Sequence, residues 1–176
     1  LKFDKMKINV MITFSVLTVL SCDLKDRPGP SHEDLFQLYT TNCARVVAYE
    51  KAFCLEDIDY DAFYNPDVLI IGTSFNSLDT VGLDANKNTH RKLWDAYKFS
   101  FNEPIRFMPG LDPITNRMDG SVHMYIELLV QLDTGGDVVM IPVYEEYDFD
   151  SAGRITRLLY YGDMTAAFDA LNHEEN

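Results

Sequence analysis

The spacing of apolar and polar positions changes character three times along the chain. From Ile8 to Leu20 apolar residues dominate, diluted by Asn9, Thr13, Ser15 and Thr18, with Lys2, Lys5 and Lys7 just upstream. At about 13 residues the run falls short of the roughly 20 needed to span a bilayer. A basic start and a short apolar core are the proportions of a secretory leader. From residue 31 a 3.6-residue period takes over. Ser31 reads as an N-cap with Glu33 and Asp34 in the positive first turn, and Leu35, Leu38, Tyr39, Asn42, Val46, Tyr49 and Phe53 recur at helical spacing. The spacing predicts a long helix over 32–54. A short second helix is expected over Glu56–Tyr64, stopped by Asn65-Pro66. Val68–Ile71 reads as a strand and Asn76–Lys87 as a polar loop. A third helix is expected over Thr89–Asn102 through Leu93, Trp94, Tyr97 and Phe101, closed by Pro104.

The second half switches to period two. Over Ser121–Asp133, Val122, Met124, Ile126, Leu128, Val130 and Leu132 fall on one face, and His123, Tyr125, Glu127, Leu129 and Gln131 on the other. Thr134-Gly135-Gly136-Asp137 signals a turn into a strand over Val138–Phe149, bent or bulged near Pro142. Asp150–Gly153 is another turn, Arg154–Gly162 another strand, with Leu158–Tyr161 suggesting burial on both faces, and Asp163–Leu171 a terminal helix. Helices come early and strands late, which argues α+β. A long curved sheet must cover its apolar face, and the early helices are the available cover. Such a sheet, curled around a long helix, leaves a conical pocket.

Composition narrows the functional classes. The chain has 176 residues, 47% hydrophobic and 12% aromatic, which suits one folded domain rather than a disordered chain. Its 15 basic and 28 acidic residues give a net charge of −13 with no basic stripe, so nucleic acid is a poor partner. No His or Cys spacing matches a zinc site, no Walker pattern or Gly-x-Ser-x-Gly elbow is present, and no cofactor is implied. Cys43 and Cys54 lie eleven residues apart, or about 16.5 Å along a helix. A disulfide needs Cα atoms within about 7 Å, so in a continuous helix both are expected as free thiols.

The leader ends Val19-Leu20-Ser21-Cys22, which resembles the lipobox of bacterial lipoproteins, with valine in place of leucine at its first position. That resemblance implies a signal peptide over 1–21, lipidation of Cys22, and a polar tether over 22–31. It places the protein in the bacterial cell envelope. Without residues 1–21 the chain keeps 12 basic and 27 acidic residues, a net −15 that repels anionic headgroups. The membrane contact is then the lipid alone, each buried CH₂ contributing about 0.8 kcal/mol.

The domain over 32–173 resembles the nuclear transport factor 2-like superfamily, in particular its SnoaL-like bacterial members. The resemblance rests on the long first helix, on Tyr64-Asn65-Pro66-Asp67-Val68, and on the Trp94-containing helix. It also rests on Tyr147–Ile155 entering the last strand and on the closing Tyr160-Tyr161-Gly162-Asp163. It implies a cone-shaped curved antiparallel sheet wrapped around the first helix, a cavity within, and often a homodimer through the sheet. It does not imply one activity, since the superfamily includes isomerases, polyketide cyclases, dehydratases, epoxide hydrolases and binding modules. The isomerases' strand aspartate would fall near Gly72, which has no carboxylate, and the hydrolase Asp-Arg-Asp arrangement is not evident.

Candidate site residues follow. Asp163, near the expected mouth of the cone, is either a general acid/base or the N-cap of the last helix. His123, Tyr125 and Glu127 share one strand face, which is either a polar cavity lining, with His123 as a proton carrier, or the outer surface. Tyr64, Trp94, Tyr97 and Tyr161 are expected near the cavity as ligand contacts or core. Asp67 reads as a turn or cap residue, His90 as exposed, and Glu145-Glu146 as a solvated face. No metal site is expected. These residues suggest an envelope module holding a small, largely apolar molecule. The alternatives are a cofactor-free lyase, isomerase or cyclase using Asp163 or His123, and a protein-interaction module.

Overall fold

A computed structural model describes residues 29–72 and 80–173. The leader, Cys22 and most of the tether lie outside the described residues. The elements are α1 (His32–Cys54), α2 (Tyr60–Phe63), β1 (Tyr64–Ile71), α3 (Leu83–Trp94), β2 (Tyr97–Leu111), β3 (Met118–Leu132), β4 (Val138–Phe149), β5 (Ile155–Tyr161) and α4 (Met164–His173). Ser31 and Asp34 form a reciprocal capping box at the start of α1: Asp34 N donates to Ser31 Oγ at 3.1 Å, and Ser31 N donates to the Asp34 carboxylate at 2.9 Å. No helix among the described residues is long and apolar enough to cross a membrane.

The five strands form one sheet in the order β1-β5-β4-β3-β2, antiparallel except for the parallel β1–β5 pair. The side-chain period of two decides the core. Val122, Met124 and Val130 on β3 are buried completely, with Ile126 and Leu128 beside them. They belong to one cluster with Val46 and Tyr49 of α1 and with Tyr147, Ile155 and Leu158 of the neighbouring strands. The arrangement is the expected α+β one.

The middle of the chain departs from its predicted pattern. The third helix starts at Leu83, inside the segment read as a loop, and ends at Trp94. Its buried face carries Asn86 and His90, four residues apart, so apolar periodicity does not report it. Tyr97–Leu111 is a strand rather than the end of that helix. Tyr97, Phe99 and Phe101 turn inward while Lys98, Ser100 and Asn102 stay outside, a period of two that three aromatics at i, i+2 and i+4 encode. The helix over Glu56–Tyr64 shrinks to one turn because Asp59 caps Ala62 N at 3.1 Å, and Tyr64 already has extended backbone. The β3–β4 register runs unbroken past Pro142, which faces Glu127. Register shifts lie elsewhere: in β2 between Asn102 and Arg106 and between Pro109 and Leu111, and in β4 at Asp148–Phe149, where it pairs with β5. Tyr161 is exposed, so β5 is not buried on both faces at its end. Cys43 and Cys54 are free thiols on a continuous α1, and burial pushes the Cys54 thiol up to about 12, with Glu50 adding to it.

Candidate active site

The long strands set which residues face the hollow. In β4, Ile141, Val143, Glu145 and Tyr147 fall on the α1 side, and Tyr144, Glu146 and Asp148 on the other. In α1, Val46, Tyr49, Glu50 and Phe53 share one helical stripe. Between these two elements, walled also by β1, α3, β2, β3, β5 and α4, lies a cavity of about 300 Å³. That is the lower end of the range of small-molecule sites. Most of its lining is apolar, including Phe53, Ile70, Leu93, Phe99, Leu128 and Phe168. Its polar lining includes Glu50, Glu145, Tyr49, Tyr160, Asn86 and His90.

Glu50 is buried, and Glu145 is half-buried at the cavity wall. Tyr147 Oη donates to Glu50 Oε1 at 2.6 Å and also lies against Glu145 Oε2. The two carboxyls thus converge on one hydroxyl. That phenol has one proton to donate, so the second carboxyl meets its oxygen best as a donor. The arrangement favours a pair that keeps one proton. Burial raises Glu50 well above the ordinary carboxylate range, helped by the Glu145 charge. Burial also raises Glu145, against the hydrogen bonds from Tyr147 and Glu50. Beneath them, Tyr64 Oη donates to Tyr49 Oη at 2.6 Å, and Asn86 Nδ2 reaches Tyr64 Oη at 3.4 Å. Burial holds all three phenols, of Tyr49, Tyr64 and Tyr147, protonated well beyond neutral pH. Across the cavity, His90 is 6% exposed and its Nδ1 lies 3.0 Å from Tyr60 Oη. Burial lowers it to about 4, so it is neutral at physiological pH. Among the described residues no group of three or more His, Cys, Asp or Glu is placed to hold a metal.

The residues singled out from the sequence divide accordingly. Tyr64, expected at the cavity, is buried behind its wall, bonded to Tyr49 and Asn86, and is not one of its lining residues. Trp94 packs on Phe53 and His90, with its Nε1 buried and unpartnered. Tyr97 stacks on Phe168 at 4.4 Å, and Asn172 Nδ2 donates to its Oη at 3.1 Å. These two support cavity walls without lining the cavity. His123, Tyr125, Glu127 and Tyr161 are on the outer face, because the opposite face of β3 and β5 packs on the core. There Tyr144 Oη meets His123 Nδ1 at 2.9 Å, Tyr125 and Tyr161 flank the Tyr144 ring, and Asn102 donates to Glu127 at 3.0 Å. Asp163 is exposed and caps α4, its Oδ1 accepting from Ala166 N at 3.1 Å. Asp67 lies exposed in β1, its N–H donating to Asn65 Oδ1 at 3.0 Å.

Three functional candidates differ from the sequence expectations. Glu145-Glu146 is not one solvated face: alternation sends Glu146 out to Arg157 at 2.8 Å and Glu145 in. Glu50 stands on the apolar stripe of α1, between Val46 and Phe53. His90 was read as exposed and is buried. The available signal was the same in each case: an ionisable residue on the buried phase of an otherwise apolar period.

No protein-family model and no curated protein sequence matches the chain. Solved structures do. A candidate isomerase from Bacillus subtilis superposes with a TM-score of 0.61 at 12% identity, over 75% of this chain and 95% of that one. A nuclear transport factor 2-like protein from Burkholderia xenovorans gives 0.55 at 15% identity, over 75% and 96%. A candidate SnoaL-like polyketide cyclase from Shewanella putrefaciens gives 0.54 at 15% identity, over 79% and 92%. The chain has the nuclear transport factor 2-like fold, in the form shared with SnoaL-like structures. Identities this low establish the fold alone.

Proposed function

We propose that the protein binds a small, largely apolar molecule in its cone and moves a proton on it without a cofactor, as a lyase, isomerase or cyclase does. The observation that carries this reading is the Glu50–Glu145–Tyr147 constellation at the wall of an apolar cavity. A carboxyl pair that shares a proton offers a base and an acid side by side, and burial brings both toward neutral pH, where such groups work best. The role expected of Asp163 or His123 passes to Glu50 and Glu145, since the cavity is lined by neither of the former. The names of the Bacillus and Shewanella structures, isomerase and cyclase, agree with proton-transfer chemistry on this fold.

The test is exchange of carbon-bound hydrogen for deuterium in D₂O, followed by NMR on a panel of hydrophobic ketones and aldehydes that includes amino-substituted members. Exchange on at least one compound is expected, falling by roughly 10²–10⁴-fold in Glu145→Gln, the range of general acid–base catalysis. Background exchange on every compound, or full exchange in the variant, would end the catalytic reading.

The proposal places this activity in the cell envelope, through lipidation of Cys22; metabolic labelling with a fatty acid, lost in Cys22→Ala, tests that. It also assigns self-association to the outer sheet face, where Tyr125 and Met140 are 47% and 52% exposed. Light scattering on Tyr125→Glu checks the latter.

A further inference from the structure

The charges around the cavity narrow the kind of molecule it takes. The groups around the carboxyl pair come from every wall: Tyr49 and Cys54 from α1, Tyr64 from β1, Asn86 and His90 from α3, and Phe99 from β2. Ile126 adds to them from β3, Tyr147 from β4, Tyr160 from β5 and Met164 from α4. Among the described residues, no lysine or arginine lines the cavity. The ion pairs near this end of the fold are spent elsewhere, Arg157 on Glu146 and Lys98 on Glu56 and Asp133. His90 is neutral and supplies no positive charge.

A buried negative charge without a counter-cation is costly. The pair can limit that cost by keeping protons, or a ligand can bring the missing cation. A carboxylate ligand would add repulsion, and a neutral ligand would expel water from the pair and leave its charge uncompensated. A cation with an apolar body meets both halves of the site. Its N–H groups can donate to Glu50 and Glu145 as charge-assisted bonds. The rings of Tyr49, Phe53 and Phe99 stand at the cavity as faces for a cation or for its apolar body.

We propose that the cavity selects a small hydrophobic amine, held as its ammonium against Glu50 and Glu145. This rests on the reading that the cavity is the ligand site, and it adds the ligand's charge. The experiment uses three molecules of one shape and different charge: tryptamine, tryptophol and indole-3-acetate, titrated calorimetrically at neutral pH. Tryptamine is expected to bind at least tenfold tighter than tryptophol, with indole-3-acetate weakest. Glu145→Gln should bring tryptamine down to the level of tryptophol. Glu50→Gln serves the same purpose should the first variant fail to fold. Equal binding of tryptophol and tryptamine, or tightest binding of the acetate, overturns the amine assignment and leaves the cavity reading standing. Binding of none of the three overturns both.

Discussion

Replacing Glu50 with glutamine keeps the side chain's shape and removes its capacity to bind a proton or carry charge. In the parent, burial first and then the Glu145 charge raise Glu50 well above the 4.5 of a free glutamate. A carboxyl that holds its proton more tightly folded than unfolded contributes its stability in full below the unfolded value. That contribution is lost as pH rises through the folded one. Within this window each pH unit removes up to about 1.4 kcal/mol for one proton. The glutamine variant lacks this loss. The variant should therefore gain unfolding free energy on the parent, by up to about that amount per pH unit, as pH rises above 4.5. The assay is urea unfolding of both proteins in parallel from pH 4.5 upward, read as the difference between them. The subtraction cancels every group that does not interact with Glu50, His90 included, whose contribution runs the other way. A difference that stays flat with pH would refute the claim that Glu50 is buried and proton-binding, and the acid–base site with it.

Three further outcomes are expected. Tyr147→Phe removes the donor that both carboxyls share and should cost about 2 kcal/mol at neutral pH by denaturant unfolding, the range for bonds to charged groups. His90 has a folded value of about 4 against 6.5 for the free side chain, so the unfolded chain takes up a proton that the folded one refuses. Stability due to this group is present above 6.5 and is lost as pH falls toward 4, and His90→Phe should flatten that acid limb in a pH series of melts. Asp163→Ala should cost about 1 kcal/mol through loss of the α4 cap and leave ligand binding unchanged in a calorimetric titration, because the side chain does not face the cavity.

The sequence determined the elements whose period is carried by apolar residues. The capping box at Ser31, the stripe from Leu35 to Phe53, the strict alternation of β3 and the glycine turns at Gly135-Gly136 and Gly153 each follow from local geometry, and together they determine an α+β order. The middle third was harder to read because the buried face of α3 is made by Asn86 and His90, and because aromatics at Tyr97, Phe99 and Phe101 satisfy a helix or a strand until the partner is known. The site depended on tertiary structure altogether. Alternation divides β3 and β4 into two faces, but it does not say which face meets α1. Choosing that face is a matter of packing between segments nearly a hundred residues apart, such as Tyr147 on Glu50. Once the apolar face of β3 turned inward, His123, Tyr125 and Glu127 went to the surface, and Glu145 was carried inside beside Glu50. A carboxylate's chemistry depends on its surroundings more than on its neighbours in the chain, and those surroundings exist only after the sheet has closed on the helix.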